Sequence, residues 1–238
     1  MTFLQKLKIK IGSNLIASAT GRWHPKYPPE AYFHNCMSFS QCGEDLAVVN
    51  ILMQLGHQGP VNYVDIGCFH PIQYSNSYFF YLREGSGLVV DMNESHRSEF
   101  ERLRPRDKFL SEIVSDSKDS LFIDARGFPT DSIVHGNPSE ESQPRHPRAL
   151  SVLLDEYWPE DKIISFLDID CEGHDLEVLR SNNWKKYRPK LVVCEIIENT
   201  LGNEANEIDI FMLSKDYERV SKIRMANFYF DKKLVQKI

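Results

Sequence analysis

Short apolar segments that end in an acidic residue recur along the chain, and this repeat constrains the fold more than any other feature. The β-branched residues and short lengths of these segments predict strands. Segments with helical character, such as 75–85 and 95–105, lie between them, so we expect parallel strands joined by right-handed crossovers. The five predicted strands are VNYVDIG (61–67), SGLVVDMNE (86–94), KFLSEIVSD (108–116), IISFLDID (163–170) and KLVVCEI (190–196).

The last part of the chain predicts a different strand arrangement. After a helix near 204–215, the sequence predicts two strands joined by a tight turn at Ala226–Asn227. The strands are YERVSKIRM (217–225) and NFYFDKKLV (227–235). We therefore expect an α/β fold in which an antiparallel pair completes an otherwise parallel sheet.

Composition places the chain among ordinary globular proteins and excludes several functional classes. Hydrophobic residues make up 42% and charged residues 26% of the sequence. The net charge of −6 argues against a broad nucleic-acid surface, which requires a basic excess. The five cysteines form no CxxC pair, which favours reduced thiols in a cytoplasmic protein.

Two segments lie apart from the strand–helix alternation. In residues 1–18, Phe3, Leu7, Ile11 and Leu15 recur at helical spacing among lysines, which predicts an amphipathic helix. Such a helix contacts its own domain, a partner subunit or the inner face of a membrane. We assign 1–37 to this helix and a proline-rich connector, and 38–238 to the main domain. Residues 128–149 contain four prolines and predict a long loop whose basic side chains could meet an acidic substrate.

The acidic residues at the strand ends predict a functional rim, because ligands of open parallel sheets bind beyond the carboxyl ends of the strands. The turn DIGCFHP lacks the glycines of a diphosphate-binding loop, which disfavours NAD. Asp91 follows Asp65 by 26 residues, close to the spacing at which an acid holds ribose hydroxyls. S-adenosylmethionine, which has a ribose but no phosphate, therefore fits better. The rim residues are Asp65, Asp91, Asp116, Asp170, Glu172 and Glu195.

Several motifs resemble those of the FkbM-type methyltransferases. They are SQCGEDL, YVDIGCFHPIQYSNSYFFYLREGSGLVVDMNE, RPRDKFLSEIVSD and ISFLDIDCEGHDLEVLRSNNWKKYRPKLVVCEI, in the family's order over roughly residues 38–231. The resemblance implies a class I methyltransferase (Rossmann-like) fold: a seven-stranded, mostly parallel sheet with an antiparallel last strand and helices on both faces. It also implies S-adenosylmethionine-dependent O-methylation, commonly of sugar or polyketide hydroxyls.

The resemblance also implies roles for individual residues of the cofactor site. Asp65 and Gly67 are expected beside the methionine end of the cofactor, Asp91 at the ribose, and Ser115 and Asp116 at the adenine. Gln41 and Glu44 are expected to approach from the N-terminal segment, and Asn76 from the first crossover. The chain departs from the family at Cys68 and Phe69, where small or amide residues are usual.

The cluster FLDIDCEGHD (166–175) then lies beside the methyl group and the acceptor. Two catalytic arrangements remain open, with a slight preference for the first. In the first, His174 removes the acceptor proton, and Asp170 or Glu172 orients the imidazole. In the second, Asp170, Glu172 and Glu195 hold Mg²⁺ or another divalent cation that lowers the pKa of the hydroxyl. A purely structural alternative has Glu172 and Asp175 capping the next helix.

From these patterns we expect a cytoplasmic O-methyltransferase that acts on a sugar or glycan hydroxyl, such as a polysaccharide precursor. The alternatives are methylation of a small polyketide-like or lipid hydroxyl, and a non-catalytic cofactor-binding module on the same fold.

Overall fold

The computed structural model describes residues 37–124, 132–133, 143–196 and 207–235. Apart from Met37, all of these belong to one compact unit, Ser38–Ile238. The predicted helix over 1–18 and most of the connector lie outside the described residues, so both stay predictions. Within the described part of the chain, no helix has the length and apolar character needed to cross a membrane.

The described residues contain ten strands and seven helices. The strands are β1 (Asn62–Ile66), β2 (Ser86–Asp91), β3 (Lys108–Ser111), β4 (Leu121–Asp124), β5 (Ser132–Ile133), β6 (Gln143–Arg145), β7 (Phe166–Ile169), β8 (Leu191–Glu195), β9 (Tyr217–Ile223) and β10 (Ala226–Asp231). The helices are α1 (Glu44–Gln54), α2 (Tyr78–Tyr81), α3 (Arg97–Leu103), α4 (Leu150–Tyr157), α5 (Asp175–Arg180), α6 (Glu207–Ser214) and α7 (Lys232–Val235).

The main sheet has seven strands in the order β3-β2-β1-β7-β8-β10-β9. The strands from β3 to β8 pair in parallel, whereas β10 pairs antiparallel with both β8 and β9. This arrangement confirms the predicted fold class. The strand order reverses direction between β1 and β7, and a reversal of this kind opens a crevice beyond the carboxyl ends of the strands.

Helices cover both faces of this sheet. Val64 and Ile66 of β1 belong to an apolar cluster with α4, α5 and α6, whereas Tyr63 belongs to a second cluster with α1, α2 and α3. Because parallel strands are buried on both faces, their sequences read as nearly continuous apolar runs rather than alternating ones. That property made these strands easy to predict.

Three local predictions were wrong. The third strand ends at Ser111 rather than at Asp116, and the helix predicted over 75–85 is only one turn long, in α2. The tight turn between β9 and β10 lies at Arg224–Met225 and not at Ala226–Asn227. Arg224 has a positive φ of 52°, a conformation that makes such a two-residue turn possible.

The segment predicted as a long loop, 128–149, contains two strands. β4 pairs with β5 on one side and with β6 on the other, which makes a small antiparallel sheet of order β5-β4-β6. Prolines obscured this pattern, because Pro144 lies within β6 and proline cannot donate to a strand ladder. An edge strand tolerates proline, and β6 is an edge strand.

Candidate active site

A cavity, here called the main cavity, opens at the carboxyl ends of β1, β2, β3 and β7. The space between its walls, together with the part open to solvent, amounts to about 610 Å³. Five predicted site residues line it: Gly67, Asp91, Asp170, Glu172 and His174. The other lining residues are Ile66, Phe69, Val90, Met92, Asn93, Glu112, Ile113, Val114, Ile133 and Cys171.

Gly67 allows the ends of β1 and β7 to approach each other at the base of the main cavity. Its φ is +85°, and a Cβ atom at this position would lie only 1.9 Å from the carbonyl oxygen of Asp170. Any side chain here would therefore push Asp170 away from its position. Of the two departures from the family, Cys68 is buried in the core, whereas Phe69 lines the cavity.

Asp91 is held at the rim of the main cavity by main-chain donors. One carboxylate oxygen accepts from the backbone N–H of Phe69, and the other accepts from that of Asn93, each at 2.8 Å. These two bonds fix a carboxylate at the end of β2. An ionised carboxylate is purely an acceptor, which suits it to ligand hydroxyls.

A second cavity, here called the acidic cavity, lies at the ends of β7, β8 and β10. Its space, including the part open to solvent, amounts to about 340 Å³, and it is lined by the predicted residues Gln41, Glu44, Asn76, Asp170 and Glu195. The first three therefore approach this cavity and not the main one. The remaining lining residues are Tyr74, Asp168, Ile169, Val193, Cys194 and Ala226.

The segment SFSQCGED reaches the acidic cavity because Asp45 organises it. The buried carboxylate of Asp45 accepts from the Ser38 hydroxyl, at 2.6 Å, and from the backbone N–H of Phe39, at 2.8 Å. Glu44 accepts from the backbone N–H of Cys42 at 2.8 Å. The sequence pattern identified Glu44 but not Asp45, because a local carboxylate cap of this kind has no fixed spacing.

Asp170 is the one described residue that lines both cavities. Among the described residues, no hydrogen bond or ion pair engages its carboxylate. Burial raises the pKa of Asp170 well above its ordinary value, and the negative charges of Glu195, Asp175 and Glu172 raise it further. A carboxylate in this position holds a proton more readily than a surface aspartate does.

Two further acids lie side by side in β1 and β7, and one of them, Asp168, also lines the acidic cavity. Asp65 in β1 and Asp168 in β7 are buried and are register partners. Asp65 accepts from the Ser77 hydroxyl, and Asp168 accepts from the Asn76 amide at 2.9 Å. Burial raises the pKa of Asp65 to about 6 and that of Asp168 well above its usual range. Asp65 lines neither cavity. Its carboxylate binds the Ser77 hydroxyl at the end of β1 instead of facing a ligand.

His174 and Ser115 bind each other. Nε2 of His174 lies 2.9 Å from Oγ of Ser115, and Nδ1 lies 3.7 Å from a carboxylate oxygen of Glu177. Both ring nitrogens thus face protein groups, although the ring lines the main cavity. Asp170 and Glu172 do not orient the imidazole as the sequence suggested. Asp116 is exposed and lines neither cavity, because β3 ends five residues before it.

The predicted cation ligands do not converge. Glu172 lines the main cavity and Glu195 lines the acidic cavity, with Asp170 between them. Within the described ranges, the carboxylates of these three residues do not bring their oxygens within 4.8 Å of one another. Their arrangement therefore does not fit a divalent cation held by all three.

Another set, His70, His96 and Glu99, does bring its possible ligand atoms within 4.8 Å. Nδ1 of His70, however, accepts from the backbone N–H groups of Ile72 and Gln73 at 3.1 and 2.9 Å. The proton of the neutral ring is then on Nε2, the atom that faces Glu99 at 3.5 Å. A protonated nitrogen cannot ligate a metal, so this set forms a hydrogen-bonded brace between the β1 loop and α3.

Arg145 and Arg148, two basic residues of 143–149, are bound to other protein groups. Arg145 donates to the main-chain carbonyls of Met92 and Ser111, and Arg148 forms ion pairs with Glu112 and Glu156. Neither arginine lines a cavity, so the suggestion that they meet an acidic substrate finds no support in this geometry.

Comparison with known proteins identifies the family. A model of the methyltransferase FkbM domain matches residues 65–219, more than half of the chain. The chain belongs to the FkbM methyltransferase domain family. This membership, with the observed fold, supports methyl transfer as the activity, in agreement with the resemblance seen in the sequence. Among curated proteins, none matches this FkbM-domain chain significantly.

Solved structures resemble the chain only distantly. A TehB-like S-adenosylmethionine-dependent methyltransferase from Corynebacterium glutamicum is 9% identical and has a TM-score of 0.41, with 94% of this chain and 100% of that chain covered. A S-adenosylmethionine-dependent methyltransferase from Aquifex aeolicus is 7% identical and has a TM-score of 0.40, with 79% and 92% covered. No conclusion about this FkbM-domain protein depends on likenesses of this kind.

Proposed function

We propose that this FkbM-domain protein is an S-adenosylmethionine-dependent O-methyltransferase that methylates a hydroxyl of a sugar or glycan. The observation that carries the proposal is the position of Asp170 between two cavities. One cavity is needed for the methyl donor and one for the acceptor, and the group that removes the acceptor proton must reach the point where they meet.

The main cavity has the chemistry that S-adenosylmethionine requires. Ile113 and Ile133 supply apolar surface for an adenine, and Asp91 supplies acceptors for ribose hydroxyls. The carboxylates of Asp170 and Glu172 lie where a cationic sulfonium would be stabilised. When bound, the cofactor supplies a methyl group on this sulfonium, and the residues named here would hold it.

The acidic cavity favours an acceptor with several hydroxyl groups. Glu44, Glu195 and Asn76 present side-chain oxygens there, and carboxylates accept hydrogen bonds without donating any. A sugar offers many O–H donors in a small volume. A lipid or polyketide-like hydroxyl would bring apolar surface against these groups and leave them without partners, at a cost of roughly 1–3 kcal/mol for each buried group.

Asp170 is the base in this proposal. Its carboxylate would take the proton of the acceptor hydroxyl, so that the oxygen could accept the methyl group that the bound cofactor would supply. The raised pKa of Asp170 makes it a stronger base than an exposed aspartate. His174 is less suited to this role, because Ser115 and Glu177 face its two ring nitrogens.

The test is methyl transfer from isotopically labelled S-adenosylmethionine to a panel of neutral sugars, nucleotide sugars, uronic acids and long-chain alcohols. Asp170→Asn, which keeps the shape of the side chain, is compared with Glu101→Gln, an exposed acid on α3 outside both cavities. We expect a methyl ether on a neutral sugar or nucleotide sugar, abolished by the first variant only. Transfer to an alcohol without transfer to sugars would refute the acceptor class, and full activity of Asp170→Asn would refute the base.

A further inference from the structure

The guanidinium of Arg145 connects the small sheet to the edge of the main sheet. One nitrogen donates to the carbonyl oxygen of Met92 at 2.6 Å, and the other donates to that of Ser111 at 2.7 Å. Ser111 is the last residue of β3, and Met92 directly follows the register partner of Ser111, Asp91. The planar fork of one side chain therefore holds two neighbouring strand ends at once.

These strand ends carry one wall of the main cavity. Met92, Ile113 and Ile133 line this cavity and pack with Leu121 in a separate apolar cluster. Ile133 comes from β5, and Leu121 comes from β4 at the position that pairs with Arg145 in β6. The cluster thus joins the small sheet to the main sheet beside the cavity, and Arg145 supplies its two charge-assisted hydrogen bonds.

A second connection confirms that the chain after β6 follows the edge of the main sheet. The backbone N–H of Arg148 donates to the carbonyl oxygen of Ile113 at 2.8 Å, and that of Ser115 donates to the carbonyl oxygen of Arg148 at 3.1 Å. These bonds leave Ile113 between two anchored segments. The Ile113 side chain is buried and lines the main cavity.

We propose that Arg145 is a positioning residue for the nucleoside end of S-adenosylmethionine, an inference that rests on the proposed function above. Arg145 lines neither cavity and does not touch the ligand in this proposal. It acts through Met92, Ile113 and Ile133, whose apolar surface faces the adenine, while Asp91 accepts from the ribose. The small sheet therefore contributes Ile133 to the wall of the proposed cofactor site.

The experiment measures the dissociation constants of S-adenosylhomocysteine and methylthioadenosine by calorimetry, for the wild type, Arg145→Met and Arg145→Lys. The two ligands share the nucleoside and differ at the amino-acid end. We expect Arg145→Met to raise both dissociation constants by the same factor, about tenfold. The reason is that the apolar wall of the main cavity loses contact with the nucleoside, which the two ligands share. Lysine keeps the charge but lacks the fork, so Arg145→Lys restores part of the affinity.

Further measurements separate positioning from a general loss of stability. Arg180→Met removes an exposed arginine of α5 outside both cavities and should leave both dissociation constants unchanged. In steady-state assays, Arg145→Met should raise KM for S-adenosylmethionine while kcat and the acceptor KM stay within twofold. A raised acceptor KM with unchanged cofactor binding would overturn the proposal.

The outcomes also distinguish this proposal from the one on which it rests. If the wild type binds neither nucleoside ligand, the proposed function fails, and the role of Arg145 fails with it. If the wild type binds both and Arg145→Met binds them equally well, only the positioning role is refuted. Weakening of S-adenosylhomocysteine alone would place the effect at the amino-acid end and would also refute it.

Discussion

Nε2 of His174 lies 2.9 Å from the hydroxyl oxygen of Ser115, and this bond joins the end of β7 to the segment after β3. Ser115 Oγ also accepts from the backbone N–H of Ser117, and Nδ1 of the imidazole lies 3.7 Å from a carboxylate oxygen of Glu177. A histidine held in this way stabilises the wall of the main cavity and is poorly placed to take a proton from an acceptor.

Replacement of His174 should therefore harm catalysis much less than replacement of Asp170. We expect His174→Asn to keep kcat within about tenfold, whereas Asp170→Asn loses about 10²- to 10⁴-fold, the usual contribution of a positioned base. Single-turnover assays at saturating S-adenosylmethionine measure both, with thermal melts to verify folding. The reverse order of effects would restore histidine as the base, as the sequence first suggested.

The pH profile of kcat/KM should show an ionisation at the raised pKa of Asp170. The base must be ionised, so activity falls as the pH drops through this pKa. Because burial and the neighbouring carboxylates raise the pKa, the acid limb should lie well above about pH 4, where an ordinary aspartate titrates. Rate profiles of the wild type and His174→Asn should share this limb. A limb near 6.5 that disappears in His174→Asn would contradict the assignment.

Asp91 and Asp116 offer a matched pair for cofactor binding. Both were predicted from the sequence to contact the cofactor, but only Asp91 lines the main cavity. Asp91→Asn should weaken S-adenosylhomocysteine binding about 10- to 100-fold, since the amide NH2 must face one of the two N–H groups, of Phe69 or of Asn93, and that bond is lost. Asp116→Asn should leave the dissociation constant unchanged in calorimetry. Equal losses in both variants would mean that the segment after β3 reaches the ligand.

The contrast between Asp91 and Asp116 shows which site residues the sequence could predict and which it could not. Apolar runs predicted the strands because burial on both faces is written locally in residue type. The acids of β2 and β7 then fell at the rim by simple geometry. Asp116 did not, because β3 ends at Ser111 and Asp116 lies on an exposed segment five residues later, which no local pattern indicates.

Local sequence patterns could not predict contacts between residues that lie far apart in the sequence. The bond from Asn76 to Asp168 spans 92 residues, and that from His174 to Ser115 spans 59. Spacing rules describe neighbours on one helix or strand. They therefore predicted a catalytic role for His174 and could not predict its contact with Ser115. Prolines likewise concealed β6, and with it the role of Arg145.

Asp175, at the start of α5, should make stability depend on pH in a direction opposite to that of most aspartates. It is buried, one oxygen accepts from the backbone N–H of Glu195 at 3.0 Å, and burial raises its pKa to about 7. The folded state therefore binds a proton more tightly than the unfolded state does. Its contribution to stability is full below about pH 4 and is lost as the pH rises to about 7.

Asp175→Asn cannot titrate, so the comparison isolates this contribution. The free energy of unfolding is measured with urea at several pH values. Relative to the wild type, that of the variant should rise between about pH 4 and 7, by up to a few kcal/mol, and then stay constant at higher pH. Other titrating groups cancel in the difference. A constant difference across the whole range would mean that the pKa of Asp175 is not raised in the folded state.

The ion pair of Arg104 and Asp107 supports the site from beneath, and its loss should destabilise the whole domain. Both side chains are completely buried, with 2.6 Å between a guanidinium nitrogen and a carboxylate oxygen. The Tyr63 hydroxyl donates to Asp107, and Arg104 donates to the Ser77 hydroxyl, which in turn donates to Asp65 in β1. The network thus links the RPRD segment to Asp65.

Removing one partner leaves the other charge buried without compensation. Asp107→Asn should therefore lower the free energy of unfolding by about 3–5 kcal/mol, measured by urea denaturation. Asp107→Asn combined with Arg104→Met should cost less than the single variant, because no uncompensated charge remains. A double variant less stable than Asp107→Asn would show that the hydrogen bonds of Arg104 to Ser77 and Tyr63 stabilise the domain more than its buried charge destabilises it.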